Sequence, residues 1–270
     1  MRRWPLEMSA AGKARGGSAR RIDAPAANLC AITDVGLVRE QNEDDFHAGP
    51  RGRLLMVADG LGGLPGGEVA SRTAIAAVAA ALDEGEGLAA GPADAAREAL
   101  LDAFAVAHLQ IVAAGQDDEG LRHMATTLIA AVPAGDTLYT CHVGDVRGYR
   151  WVSASGELEQ LTADHSVVGE LVASGAITRE QARSHPQRNL VTQALGLEDG
   201  LSPTFRAASL GRGDIVLLCS DGFWETIDHE ALTVAVARKR ASIKTRATAM
   251  VDHALAEGGH DNITVLLYEH

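Results

Sequence analysis

Residues 54–60 read Leu-Leu-Met-Val-Ala-Asp-Gly, a short apolar run that ends in an acid and a glycine. A continuous apolar run of this length predicts a buried β-strand. The arrangement recurs at residues 215–222, Ile-Val-Leu-Leu-Cys-Ser-Asp-Gly, so Asp221, like Asp59, stands where a strand ends. Asp-Gly is a common turn dipeptide, and a single pair indicates only a turn. Two such pairs after matching runs suggest that the acids share a site.

Two further acids stand at the ends of apolar runs: Asp145 follows residues 139–144, and Asp261 precedes residues 262–268. If these strand ends lie side by side, four carboxylates converge, and they stay ionised only where a cation offsets their repulsion. Oxygen ligands alone favour magnesium or manganese over zinc. The zinc patterns His-Glu-x-x-His and Cys-x-x-Cys do not occur in the sequence. The sequence therefore predicts a metal site built from carboxylates.

The hydrophobic pattern predicts many strands and few helices. The predicted strands are residues 28–33, 53–58, 127–132, 137–143, 148–152, 214–220 and 262–268. Helical periodicity predicts a hairpin of amphipathic helices at 67–83 and 92–115, a short helix at 228–237 and another around 243–254. With so few crossover helices, most strands should pair antiparallel, in two packed sheets with helices outside. The predicted fold class is α+β.

Length and composition indicate a globular protein. The chain has 270 residues, 46% hydrophobic and 22% charged, which excludes a disordered or fibrous protein. Its 36 acids against 24 bases give a net charge of −12, which argues against nucleic acid and anionic membranes as partners. No apolar run approaches the ~18 residues of a membrane-spanning helix, and no apolar secretory signal begins the chain. We therefore expect a cytoplasmic protein.

The N-terminal end differs from the rest of the chain. Residues 1–21 contain six bases and one acid, without helical or strand periodicity. We expect a disordered basic tail over residues 1–26 and one folded domain over residues 27–270. Within that domain, residues 162–196 change to short helical pieces with polar joints, which predicts a compact insertion on the main body.

A charge cluster follows the first predicted strand. Residues 38–45 read Val-Arg-Glu-Gln-Asn-Glu-Asp-Asp, with one base among four acids. Most such clusters are solvated turns. An arginine can, however, make a planar two-pronged contact with a phosphate. Arg39 beside a carboxylate metal site would therefore bind a phosphoryl oxygen, and the two features together suggest phosphate chemistry.

Seven short motifs occur in order along the chain. They are residues 39–44 (Arg-Glu-Gln-Asn-Glu-Asp), 58–63 (Ala-Asp-Gly-Leu-Gly-Gly), 66–70 (Gly-Gly-Glu-Val-Ala), 126–128 (Thr-Thr-Leu), 143–147 (Val-Gly-Asp-Val-Arg), 218–222 (Leu-Cys-Ser-Asp-Gly) and 261–264 (Asp-Asn-Ile-Thr). Together they resemble the metal-dependent serine/threonine protein phosphatases of the 2C type, in their bacterial branch.

The resemblance implies a four-layer α-β-β-α sandwich of two mainly antiparallel sheets flanked by helix pairs, with residues 162–196 as a small flap subdomain. It implies hydrolysis of phosphoserine and phosphothreonine in proteins, in signal transduction opposite serine/threonine kinases. The implied cofactors are two manganese or magnesium ions, with a third, weaker ion. The implied partners are phosphorylated proteins and their kinases, and we expect a monomer.

The resemblance also implies the roles of individual residues in holding two ions. Asp59 would bridge the two ions, and Gly60 would offer its carbonyl oxygen. Asp221 and Asp261 would complete one metal shell. Glu43 would contact the other ion through water.

Four further positions receive roles from the resemblance. Asp44 would support the first acidic loop, and Arg39 would bind the substrate phosphate. Asp145 and Glu225 would hold the third ion. Two ions about 4 Å apart lower the pKa of a bridging water, so that hydroxide attacks the phosphoryl group in line.

Leu61 departs from the histidine that some members carry after the bridging Asp-Gly pair and use as a general acid. The leaving alkoxide then needs another proton source. Val146 and Ala125 also differ from the usual residues, but no metal-ligand position is lost. A pseudophosphatase that acts as a binding module is one alternative, although loss of activity in such proteins usually shows first as a missing metal ligand.

A second alternative is a nucleotide-binding protein, since the glycine-rich residues 60–67 follow a predicted strand and open a helix. However, Pro65 stands where the last glycine of Gly-x-Gly-x-x-Gly is needed, and Asp59 would repel a pyrophosphate. The related sigma-factor-regulating phosphatases commonly lack the arginine loop and the flap, so Arg39 and residues 162–196 argue against that branch.

Overall fold

The structure of the chain, a computed structural model, describes residues 20–63, 65–82, 92–197, 200–238 and 240–270. The strands are β1 (Arg20–Ala26), β2 (Leu29–Asp34), β3 (Asp44–Ala48), β4 (Leu55–Gly60), β5 (Thr126–Ala134), β6 (Thr137–Val143), β7 (Arg147–Trp151), β8 (Leu158–Gln160), β9 (Thr204–Ser209), β10 (Ile215–Cys219) and β11 (Ile263–Glu269). The helices are α1 (Gly67–Ala81), α2 (Ala93–Asp117), α3 (Val167–Ala173), α4 (Arg179–Arg183), α5 (Asp221–Trp224), α6 (His229–Val236) and α7 (Ile243–Ala256).

The strands form two sheets, and all the strand pairs in them run antiparallel. One sheet has six strands in the order β1-β2-β11-β10-β7-β8, and the other has five in the order β3-β4-β5-β6-β9. The predicted α+β class with antiparallel pairing is confirmed. Hairpins or short connections join β1 to β2, β3 to β4, β5 to β6 and β7 to β8, as antiparallel pairing allows.

Three apolar cores separate four layers. Val57, Ile129 and Leu218 belong to the core between the two sheets. A second core lies between the five-stranded sheet and helices α1 and α2, and a third lies between the six-stranded sheet and helices α5, α6 and α7. Burying one such aliphatic side chain contributes about 1.5–3 kcal/mol. The predicted α-β-β-α sandwich is confirmed.

By length and composition alone, helix α2 is long and apolar enough to cross a membrane. In this fold it packs against α1, and Leu100, Phe104 and Ile111 are fully buried in the core that the two helices share. With the buried Ala107 between the last two, these residues recur every three or four positions and so lie on one face. This face of α2 is apolar because it packs in the core that the predicted helical hairpin shares with the five-stranded sheet.

The predicted tail over residues 1–26 is wrong at its C-terminal end, because residues 20–26 form β1. This strand pairs with β2 along the edge of the six-stranded sheet. Arg20 donates from Nε to Oδ2 of Asp34 at 2.8 Å, so a base that composition assigns to the tail is fixed in the domain. Residues 1–19 lie outside the described residues.

The sequence pattern does not predict β3, β8, β9 or α5. Strand β3 begins with two acids and is expected as a solvated loop, yet Asp44 and Asp45 are buried in it. Strand β9 is largely exposed at a sheet edge, and β8 has three residues. Such strands lack the apolar run that predicts a buried strand.

The expected insertion lies between β8 and β9 and contains the short helices α3 and α4. Ser166 caps α3, and Thr178 and Gln181 form a capping box at the start of α4. After these helices, Leu195 exchanges two backbone hydrogen bonds with Thr126, at 2.9 and 3.0 Å. The segment therefore returns to the five-stranded sheet beside β5.

Candidate metal centre

Two acids face each other across β3 and β4. The antiparallel register pairs Asp44 directly with Asp59. On the other side of β4, the hydroxyls of Thr126 and Thr127 donate to the carbonyl oxygen of Asp59 at 2.8 and 3.3 Å. The backbone of Asp59 is therefore held between two neighbouring strands, which fixes the position of its side chain.

Two more acids come from the six-stranded sheet. The pairing of β10 with β11 continues past β10, where the N–H of Ser220 donates to the carbonyl oxygen of Thr264 at 3.1 Å. This pairing places Asp221, the first residue of α5, next to Asp261. Gly222 permits the approach, since a Cβ there would lie 2.1 Å from the carbonyl oxygen of the residue after Asp261.

A buried chain of hydrogen bonds joins the two sheets at this end. Asp44 Oδ2 accepts from the hydroxyl of Ser220 at 2.7 Å and from that of Thr264 at 2.6 Å. The hydroxyl of Thr33 lies 2.7 Å from that of Thr264 and accepts from Asn42 Nδ2 at 2.9 Å. Asp44 therefore fixes the five-stranded sheet against the ends of β10 and β11.

Glu43 and Gly60 lie together at the start of α1. The N–H of Gly60 donates to the carbonyl oxygen of Glu43 at 3.2 Å, and the N–H of Glu43 donates to Asn262 Oδ1 at 2.8 Å. A Cβ on Gly67, the first residue of α1, would lie 3.0 Å from the Glu43 carboxyl group. The Glu43 carboxylate thus lies against a helix N-terminus, where negative charge is favoured.

Burial and mutual repulsion disfavour the ionised form of these acids. Burial raises the pKa of Asp59 well above its usual range, and the charges of Asp44 and Asp221 raise it further. Burial likewise raises the pKa of Asp221 well above its usual range, with the charges of Asp145 and Asp261 adding to the effect. The pKa of Asp44 and that of Asp145 each rise to about 7, again mainly through burial. A cation would relieve this repulsion.

Asp145 lies in the turn between β6 and β7, and α5 holds it from the other side. The indole Nε1–H of Trp224 donates to the carbonyl oxygen of Asp145 at 3.0 Å. Glu225 follows Trp224, and its charge raises the pKa of both Asp145 and Asp221. The two residues predicted for a third ion are therefore brought into the same electrostatic cluster.

Arg39 reaches the centre from the loop after β2. Its Nη2 donates to Asp261 Oδ2 at 2.7 Å, while Asp261 Oδ1 accepts from the N–H of Asn262 at 2.8 Å. The hydrogen bond to Asp261 raises the pKa of Arg39. The guanidinium lies against Gly62, where a Cβ would be 2.7 Å from Nη1.

The chemistry of the donors fits a hard cation, since oxygen atoms alone converge here. Asp44 Oδ1 is buried and has no hydrogen-bond partner among the described residues. Within the same residues, no three His, Cys, Asp or Glu side chains meet in a geometry ready to hold an ion. Both oxygens of Asp261 accept a hydrogen bond, and the positive charge of Arg39 beside Oδ2 opposes an ion at this carboxylate.

Residues 37–257 match the family model described as protein phosphatase 2C. The chain belongs to this family. The match covers more than half of the chain and confirms the resemblance carried by the seven motifs. Arg39, Asp59, Asp145 and Asp221 all lie within the matched part.

Relatives of this phosphatase 2C chain carry consistent names. The serine/threonine protein phosphatase PstP of Mycobacterium tuberculosis is 41% identical over 237 residues, which are 88% of this chain and 44% of that protein. The chain thus spans less than half the length of that relative. The serine/threonine phosphatase stp of Listeria welshimeri is 35% identical over 240 residues, which are 88% of this chain and 93% of that protein.

A solved structure matches the fold and holds metal ions. The catalytic domain of the serine/threonine protein phosphatase PstP in complex with two manganese ions has a TM-score of 0.77 and 36% identity to this chain. The alignment covers 89% of this chain and 96% of that domain. It supports the two-sheet architecture of this phosphatase 2C member.

Several residues that hold the centre receive no role from the sequence, although two of them, Arg147 and Thr264, lie within the seven motifs. The Arg147 guanidinium lies 3.5 Å from the ring centroid of Trp224 and donates to Asp164 at 2.6 to 3.2 Å. Although burial by itself lowers it, Tyr149 and Asp164 raise the pKa of Arg147. These partners are far apart in sequence and leave no local pattern. Thr264 does have a local signal in the sequence, because it places a hydroxyl group within the otherwise apolar run of β11.

Proposed function

We propose that this protein hydrolyses phosphoserine and phosphothreonine in proteins, using two manganese or magnesium ions bound at the end of the sandwich. The observation that carries the proposal is the convergence of Asp59 and Asp221 from different sheets, each with a pKa raised well above its usual range. Such a cluster is stable in its ionised form only with bound cations, and paired divalent ions are typical of phosphoester hydrolysis.

The residues in the centre would divide into two metal shells. Asp59 would hold both ions, with the Gly60 carbonyl as a further ligand, Asp221 and Asp261 would complete one shell, and Glu43 would contact the other ion through water. The oxygen-only donor set supports this assignment. Bound ions would supply an activated water as nucleophile and neutralise charge on the phosphoryl oxygens.

The protein's own side chains hold and orient the phosphoryl group. Arg39 releases Asp261 and donates to phosphoryl oxygens, which aligns the ester for in-line attack by water. The bond between phosphorus and the serine or threonine oxygen then breaks, and that oxygen must gain a proton. Leu61 offers no proton, so the leaving alkoxide takes it from another donor.

Further parts of the proposal rest on the family alone. Asp145 and Glu225 hold a third, weaker ion, and residues 162–196 form a flap beside the centre. The substrates are phosphoproteins whose serine/threonine kinases the enzyme opposes in the signal transduction of a bacterial cytoplasm, and the catalytic domain acts as a monomer.

Hydrolysis of a phosphothreonine peptide tests the proposal. The rate is measured with manganese, with magnesium and with a chelator, on wild type and on Asp59→Ala. Wild type should release phosphate only with metal, and Asp59→Ala should retain less than ~1% of that rate, because the bridging ligand is lost. Circular dichroism checks that the variant is folded.

Asp102→Ala is the matched control, since it removes an exposed acid of α2. It should keep the wild-type rate. If folded wild type binds manganese but releases no phosphate from any phosphopeptide, the catalytic proposal is wrong and the pseudophosphatase alternative takes its place.

A further inference from the structure

A cavity of about 630 Å³ lies between α3 and α4 on one side and the end of α5 and the start of α6 on the other. Val168 and Val172 line it from α3, and Ile227 and Leu232 line it from the facing wall. Trp224 also lines it. The volume is in the range of specific binding sites, and the walls are mainly apolar as such sites are.

Arginines surround this apolar space. Arg179, Arg183 and Arg188 all line the cavity from the insertion, in a chain whose net charge is −12. Arg183 Nη2 donates to the carbonyl oxygen of Ile227 at 2.9 Å and so bridges the two walls. The exposed side chains of Arg179 and Arg188 have no hydrogen bond or ion pair in the described part of the chain.

The acids of the lining do not cancel this positive charge. Of the three acids, Asp164 is already paired with Arg147, which leaves Glu180 and Glu225. The charges of Arg188 and Arg183 lower the pKa of Glu225, although burial raises it more. The cavity therefore presents unpaired guanidinium groups beside an apolar floor, and charge complementarity favours an occupant that is acidic and apolar.

The cavity also adjoins the metal centre. It shares Glu225 with the proposed third-ion site, and Trp224 in its wall donates to the carbonyl oxygen of Asp145. A polypeptide whose phosphorylated residue lies at the centre would extend about 3.3 Å per residue along this surface. A segment a few residues away along the same chain can therefore reach the cavity.

We propose that this cavity binds a segment of the phosphoprotein substrate that carries an acidic side chain next to a large apolar one. The apolar side chain fills the space between Val172 and Leu232, and the carboxylate pairs with Arg179 and Arg188. The inference rests on the proposed phosphatase function and adds a substrate preference to it. Arg179 and Arg188 are then specificity residues that contribute to KM rather than to kcat.

Two sets of phosphothreonine peptides test the preference. In one set a Glu-Leu pair is placed two to six residues before or after the phosphothreonine, and in the other set Gln-Ala replaces it. At one placement or more, wild type should have a kcat/KM at least ~5-fold higher for the Glu-Leu peptide than for the Gln-Ala peptide. This difference should come from a lower KM for the Glu-Leu peptide. The double variant Arg179→Gln/Arg188→Gln should lose the difference. The control Arg97→Gln/Arg212→Gln removes two exposed arginines elsewhere and should keep it.

Charge reversal should switch the peptide preference, which a merely structural defect cannot do. Arg179→Glu/Arg188→Glu should prefer peptides with Lys-Leu over those with Glu-Leu at the same placement, while hydrolysis of p-nitrophenyl phosphate stays within ~2-fold of wild type. Equal kcat/KM for Glu-Leu and Gln-Ala at every placement, or an unchanged preference after charge reversal, would overturn the cavity proposal.

Direct binding separates this proposal from the proposed function. Fluorescence anisotropy follows the binding of a fluorescein-labelled Glu-Leu peptide with threonine in place of phosphothreonine, so no turnover is needed. Binding that is lost in Arg179→Gln/Arg188→Gln, in a protein without phosphatase activity, would support the cavity and overturn the catalytic function. Phosphatase activity without preferential binding of Glu-Leu peptides would support the catalytic function and overturn the cavity proposal.

Discussion

Arg39 and Asp261 lie 222 positions apart in the chain, yet Nη2 of Arg39 donates to Oδ2 of Asp261 at 2.7 Å. The pair joins the proposed phosphate-binding group to a proposed metal ligand. Both side chains are more than one-third exposed, so the ion pair itself contributes only about 0–1 kcal/mol. Arg39 can therefore leave Asp261 at little cost when an ion and a phosphate bind.

Arg39→Gln should separate catalysis from metal binding. Loss of a charged contact to the phosphate should lower kcat/KM on a phosphopeptide ~10- to 100-fold. Loss of the pair with Asp261 should leave manganese affinity unchanged or raise it up to ~5-fold, as measured by isothermal titration calorimetry. Weaker manganese binding in this variant would contradict the view that Arg39 competes for Asp261.

Asp59→Asn should stabilise the metal-free protein while removing its response to metal. The substitution removes a carboxyl group that burial and its acidic neighbours keep from ionising, so the thermal midpoint in chelator should rise by about 2–6 °C. Adding manganese should raise the midpoint of wild type much more than that of Asp59→Asn. A lower midpoint for the variant in chelator would show that Asp59 stabilises the fold without metal.

Stability of the metal-free protein should fall as pH rises from about 4 to about 7. The pKa of Asp145 is raised to about 7 mainly by burial, so the folded state holds a proton that the unfolded state has released in this range. The folded state then binds more protons, and the free energy of unfolding decreases with pH. Thermal midpoints in chelator should drop by at least ~5 °C across the range.

Three histidines have the opposite effect on the pH dependence. Burial lowers the pKa of His108, of His142 and, to about 4, of His165, so each stabilises the fold as pH rises from its lowered pKa towards about 6.5. Asp145→Asn keeps these histidines and removes one carboxyl group whose pKa is raised. Its thermal midpoint should therefore fall less with pH than that of wild type, and an identical fall would contradict the assignment.

The sequence predicts the centre of the fold better than its edges. Strands such as β4 and β10 are continuous apolar runs buried on both faces, and the pattern finds them to within one or two residues. Strand β1 is mostly exposed and carries bases, and β3 begins with two acids. Their place in a sheet is decided by partners elsewhere in the chain, such as Asp34 for Arg20, which no local pattern records.

The sequence likewise predicts some residues of the site and misses the contacts that hold them. Asp59 and Asp221 are predicted because an acid at the end of an apolar run is a local signal, and the structure brings both into one cluster. The cross-sheet bonds of Asp44 to Ser220 and Thr264 depend on strand register and are visible only in three dimensions. The contact of Arg39 with Asp261 is equally non-local.

Trp224→Phe should weaken one proposed metal site and leave the others intact. The indole N–H of Trp224 holds the carbonyl of Asp145 at 3.0 Å, and its ring lies under the Arg147 guanidinium. Phenylalanine keeps an aromatic face for Arg147 but loses the hydrogen bond, at a cost of about 1–2 kcal/mol. Calorimetric titration with manganese should show the weakest binding step ~5- to 20-fold weaker and the tighter steps unchanged.

Tyr149→Phe is the matched control for this last prediction. The Tyr149 hydroxyl accepts from Arg147 Nη1 at 3.4 Å, so the substitution removes a contact of Arg147 without touching Asp145. It should leave all manganese-binding steps at their wild-type affinities. If it weakens the same step as Trp224→Phe, the effect comes from a general loosening around Arg147, and Trp224 does not position Asp145.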